Sequence, residues 1–61
     1  MKRTFNFANA QGMTATMLVE GYRITVDIYN ADGTQYDHYS YLRAWVEEQS
    51  NLERIYGLKR V

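Results

Sequence analysis

The stretch Tyr22-Arg23-Ile24-Thr25-Val26-Asp27-Ile28-Tyr29, followed by Asn30-Ala31-Asp32-Gly33, decides the fold. Ile24, Val26 and Ile28 alternate with polar residues, the period-two pattern of a strand with one buried face. Asn30-Ala31-Asp32-Gly33 suits a type I turn closed by a glycine in the left-handed region. That loop pairs Asn30 with Thr34, and an uninterrupted ladder then sets Ile28 opposite Tyr36 and Val26 opposite His38. Working backwards, Glu20-Gly21 reads as a two-residue hairpin turn, pairing Val19 with Tyr22, Met17 with Ile24 and Ala15 with Val26. Both turns gather the apolar alternation on one face, and this agreement is the main support for a sheet.

Outward from that hairpin, Phe5 and Phe7 alternate within residues 3–8 and predict an additional edge strand. Downstream, Ser40 reads as the N-cap of a helix over 41–56 with Leu42, Trp45, Val46, Leu52 and Tyr56, or Ile55 depending on its rotation, facing inward. Gly57 ends it, and Leu58 folds back towards Leu52. The fold class is therefore α+β, one domain over 1–61. A three- to four-stranded antiparallel meander, with strands at about 3–8, 13–20, 22–29 and 34–39, is packed on one face by a C-terminal helix. The predicted core comprises Phe5, Phe7, Met13, Ala15, Met17, Val19, Ile24, Val26, Ile28, Tyr36, Leu42, Trp45, Val46 and Leu52.

A chain of 61 residues buries only about 60% of the surface its unfolded form exposes. A core of this size rarely supplies more than ~3–5 kcal/mol without a disulfide, a metal or a second subunit. The sequence has no cysteine, so neither a disulfide nor a thiolate metal site is available, and a homodimer is the natural staple. The N-terminal residues lack the apolar core of a signal peptide. No run of about 20 apolar residues spans a membrane. A cytoplasmic location is the expectation.

Seven Lys and Arg balance seven Asp and Glu, but unevenly. Residues 1–26 carry Lys2, Arg3 and Arg23 against Glu20. Residues 27–53 carry Asp27, Asp32, Asp37, Glu47, Glu48 and Glu53 against Arg43, and Arg54, Lys59 and Arg60 follow. An acidic middle thus lies between basic ends. The single histidine, His38, predicted opposite Val26 at the edge of the core, is thin material for acid–base chemistry. There is no phosphate-binding glycine loop, no HExxH and no nucleophile beside a base. No enzyme, cofactor or metal is predicted.

On the uninterrupted register, the outward face sets Asp27 opposite Asp37, Thr25 opposite Tyr39 and Tyr29 opposite Gln35. Like charges across a strand pair cost stability, and carboxylates beside large aromatics suit an interface with a basic partner. Asp27, Tyr29, Asp37, Tyr39 and Thr25 are therefore the candidate partner-binding residues of a non-enzymatic protein-binding module. In size and composition the chain is similar to small phage or mobile-element proteins that inhibit host defence or nucleic-acid-handling proteins. The alternatives are a nucleic-acid-binding domain with its contact through Lys2, Arg3, Arg23, Lys59 and Arg60, and a homo-oligomeric structural protein. The plan resembles that of DNA-reading domains built from a three-stranded sheet and a helix. Those read the major groove with Arg and Lys, whereas this face shows Asp27, Asp37, Thr14, Thr16 and Thr25, with Arg23 alone suited to base reading.

Overall fold

A computed structural model describes residues 2–61. The elements run β1 (Lys2–Ala8), β2 (Thr14–Glu20), β3 (Arg23–Tyr29), β4 (Gln35–Leu42), α1 (Trp45–Tyr56) and β5 (Lys59–Arg60). All pairings are antiparallel, in the order β4-β3-β2-β1-β5. The architecture is the expected α+β one, enlarged from three or four strands to five. After the helix the chain returns along β1, with Lys59 opposite Ala8 and Arg60 opposite Phe7. The Val61 N–H donates to the Asn6 carbonyl at 2.9 Å.

One sheet face is covered by the helix. Phe7, Ala15, Met17, Val19, Ile24, Val26 and Ile28 are buried there, joined by Leu52 and Leu58. Phe5, Met13, Tyr39, Trp45 and Tyr56 pack around them, half-buried. Three members of the predicted core lie outside it: Tyr36, Leu42 and Val46 are each more than half exposed.

The β2–β3 loop is Gly21-Tyr22 rather than Glu20-Gly21, with Gly21 at φ 61° as its first residue. Each cross-strand partner consequently moves by two: Met17 faces Val26 and Ala15 faces Ile28. Because side chains repeat every two residues, the buried face is unchanged.

The turn at 30–34 forms as predicted. The Asn30 N–H donates to the Thr34 carbonyl at 2.8 Å, and the Gly33 N–H to the Asn30 carbonyl at 3.0 Å. The ladder beyond it does not run uninterrupted. Tyr29 faces Gln35 but Ile28 faces Asp37, so Tyr36 is an extra residue in β4, a β-bulge. This one-residue slip reverses every later side chain: Val26 faces Tyr39 instead of His38, Asp27 faces His38 instead of Asp37, and Thr25 faces Ser40 instead of Tyr39. The bulge replaces a like-charge pair by a carboxylate–imidazole contact, and it carries Tyr39 to the helix side.

The helix also starts later than predicted, at Trp45. Ser40 is no N-cap; its hydroxyl donates to the Ile24 carbonyl at 2.9 Å. The ladder continues as far as the Arg43 N–H, which donates to the Tyr22 carbonyl at 2.9 Å. Pairing of Ser40, Tyr41 and Leu42 with Thr25, Ile24 and Arg23 keeps this segment extended. The N-cap is Ala44, which makes no side-chain cap bond. The far end is as expected, with Gly57 at φ 69° and its N–H donating to the Glu53 carbonyl. Leu58 folds back so that its N–H donates to the Leu52 carbonyl at 3.2 Å. The first of these bonds is that of the simple left-handed helix end rather than a full Schellman motif.

Candidate functional site

The bulge divides the predicted partner-binding residues between two faces. Thr25, Asp27 and Tyr29 stay on the open face, half-buried. Asp27 is engaged there: its Oδ1 lies 2.5 Å from His38 Nδ1 and accepts from Gln35 Nε2 at 2.8 Å. His38 is thus an exposed partner of Asp27, not an edge-of-core residue. Asp37 and Tyr39 lie on the helix side instead. A single acidic, tyrosine-bearing sheet face does not exist, because it required a parity that the bulge reverses.

Of the predicted basic contact residues the fold brings Arg3 and Arg60 together and leaves the others apart. The Arg3 and Arg60 guanidinium groups sit over the Phe5 ring at 5.0 and 4.9 Å, Arg3 also over Trp45 at 5.3 Å. Lys2 approaches Glu20 at 3.9 Å, and Arg23 Nη1 donates to the Ser40 hydroxyl at 3.3 Å. Lys59 shares the register of Ala8 and hence the open face.

What the fold assembles is a cleft of about 210 Å³ between β4 and the flank of α1. Its centre is Glu48, a carboxylate left only 3% exposed. Burying a charge is costly unless its lone pairs are met, and here they are. The Tyr39 hydroxyl donates to Oε2, Arg43 Nη1 to Oε1 at 2.6 Å, and Asn51 Nδ2 to Oε1 at 3.4 Å. Glu48 also lies near the start of the helix, where the dipole favours a negative charge. Burial, then the bond to the Glu48 carboxylate, holds the Tyr39 hydroxyl far above the ordinary tyrosine range. Arg43's own bond to the Glu48 carboxylate holds its guanidinium above the ordinary arginine value.

Asp37, Tyr41, Ile55 and Tyr56 complete the walls. Tyr39 and Tyr41 lie ring to ring at 5.2 Å, and Tyr36 meets Tyr56 edge-on at 5.8 Å. Burial raises the Tyr56 hydroxyl, with Tyr36 and the Asp37 and Glu48 charges adding to it. The Asp37 Oδ1 accepts the N–H of His38 at 2.8 Å.

Sequence reasoning overlooked Glu48, Arg43, Asn51, Tyr41 and Tyr56 as site residues. A signal was present: Trp45, Leu52 and Tyr56 share one helix stripe, and the position that continues it is Glu48, not Val46. A carboxylate on an apolar stripe implies partners across from it.

No protein-family model, curated protein or solved structure matches the chain, so the reading of its function rests on the geometry of this cleft. No described helix is long and apolar enough to cross a membrane.

Proposed function

We propose that the chain is a non-enzymatic protein-binding module that takes a basic side chain of a partner protein into the cleft between β4 and α1. The observation that carries this reading is the juxtaposition of Asp37 with the rings of Tyr39, Tyr41 and Tyr56. Aromatic faces and a carboxylate together favour a guanidinium or ammonium group; Arg43 of the chain itself already stands over the Tyr41 ring at 5.0 Å, which leaves Asp37, Tyr39 and Tyr56 to a partner's side chain, and tyrosines supply contact area at low entropic cost. Glu48 contributes to the field, but its oxygens are taken up by Tyr39, Arg43 and Asn51, which suits a scaffold better than an acid–base catalyst. By covering a basic surface, such a module would act as an inhibitor of whatever that surface normally holds. A protein partner is favoured over nucleic acid because Lys2 is drawn to Glu20, Arg23 to Ser40, and Arg3 and Arg60 are stacked on Phe5, so the five basic residues form no single patch.

The test is an anisotropy titration of a labelled arginine-rich peptide, a glutamate-rich peptide of equal length, and single- and double-stranded DNA, at low and at physiological salt. Binding of the arginine peptide, weakened about tenfold (~1.4 kcal/mol) by Asp37→Asn, is the expected result. DNA binding that falls steeply with salt and is indifferent to Asp37→Asn would replace this reading by the nucleic-acid one.

A further inference from the structure

We infer that β4 is a homodimerisation edge, pairing antiparallel with β4 of a second copy about a two-fold axis through Ser40. The inference rests in part on the reading above, since it uses the same acidic, tyrosine-lined flank.

β4 is the outermost strand on its side of the sheet, and unpaired edges invite another strand unless blunted by lysine, proline or a covering element. The opposite side is managed: β5 covers Phe7 and Ala8, and Lys2 and Arg3 occupy the rest of the β1 edge. β4 has neither proline nor lysine, and its bulge at Tyr36 lies near one end, leaving residues 37–42 regular. Backbone groups in an antiparallel ladder alternate between the two neighbours. The Arg43 N–H points to Tyr22, so those of Tyr41 and Tyr39 also face β3, and the free groups are those of His38, Ser40 and Leu42.

A two-fold axis through Ser40 makes this edge complementary to itself. The two Ser40 residues exchange both N–H···O bonds, and each Leu42 N–H meets the His38 carbonyl of the other copy. The His38 N–H keeps its bond to the Asp37 carboxylate. On the open face, Leu42, 73% exposed in the single chain, packs beside His38 of the second copy. On the helix face, Tyr39 faces Tyr41 of the second copy, and Asp37 faces Arg43 of the second copy. That last pairing supplies charge complementarity: Arg43 keeps its Nη1 bond to Glu48 of its own chain and turns its remaining N–H donors to the Asp37 carboxylate of the other copy. The axis is perpendicular to the sheet, so both helices lie on one side and the two clefts join into a groove floored by tyrosines from each copy. A core with nine buried apolar residues among those described gains the staple that small domains need.

The experiment is sedimentation equilibrium from micromolar to submillimolar concentration, with amide hydrogen exchange at both extremes. A mass rising from 7.2 kDa to twice that value is expected, with the Ser40 and Leu42 amides becoming slower to exchange as the dimer forms. Leu42→Lys should weaken association at least tenfold without altering the circular dichroism spectrum. A mass of one chain throughout, a dimer whose Ser40 and Leu42 amides exchange as in the dilute sample, or a Leu42→Lys protein that associates as tightly as its parent would overturn the inference. Any of these would leave the peptide-binding reading intact, because that is read from arginine-peptide affinity in dilute, single-chain protein.

Discussion

At the residue scale, Tyr39 concentrates the physical chemistry of this chain. Its hydroxyl is the link between strand and helix, given to a carboxylate that would otherwise be costly to bury. Because the folded state favours the neutral phenol, the native chain holds a proton that the unfolded chain releases near the ordinary tyrosine value of about 10. The Tyr39 contribution is therefore complete below that pH and declines as pH rises above it. Tyr39→Phe is expected to cost about 1–2 kcal/mol at neutral pH and to flatten the alkaline limb of a stability-against-pH curve measured by urea unfolding. An unchanged limb would mean that other groups set it. None of this was legible from residue 39 itself. Read along an uninterrupted ladder, Tyr39 belongs to the open face beside Thr25, and only the bulge at Tyr36 brings it to Glu48.

At the scale of elements, the hairpin alternation and both helix-ending residues were legible because each is a local property. Ile24, Val26 and Ile28 are buried whichever partners they have, and Gly57 terminates the helix through its own backbone. The start of α1 was not legible, since Ser40 is as good a cap as any in isolation. It is held in β4 by hydrogen bonding across to β3. The true N-cap, Ala44, already has an extended backbone, φ −61° and ψ 132°, the conformation a capping side chain requires. Ala44→Asp should consequently stabilise the protein by ~1 kcal/mol, seen as a higher urea midpoint with an unchanged slope. A lower midpoint would show that the cap position is constrained by something other than its backbone.

At the scale of the whole molecule, the fifth strand ties the last four residues to the sheet, and Leu58 alone among them enters the core. Leu58 is fully buried, although it follows the helix and carries no periodic signal of its own. Its place against Leu52 could be anticipated from the helix end, but the pairing of Lys59 and Arg60 with β1 depends on where that end lands relative to Phe7. Leu58→Ala is expected to cost about 2–5 kcal/mol, a large part of what a domain of this size possesses. It should leave the protein largely unfolded in a thermal melt at room temperature. A cooperative transition only a few degrees lower would assign the C-terminal residues a lesser role. The candidate site was the least legible feature, for it lies between a strand and a helix whose relative placement is set by the bulge and the late helix start together.

The extra residue at Tyr36 also bears on how such a chain can diverge. Adding or removing one residue between Gly33 and Asp37 would exchange the sides of the sheet on which Asp37, Tyr39 and Tyr41 stand with those of His38, Ser40 and Leu42. Composition and turn would survive, yet Glu48 would lose its phenol and Asp27 its imidazole. Length variation among descendants of this sequence should therefore be tolerated in this segment only in steps of two, making the parity of the β3–β4 connection a more durable character than the identity of any residue within it.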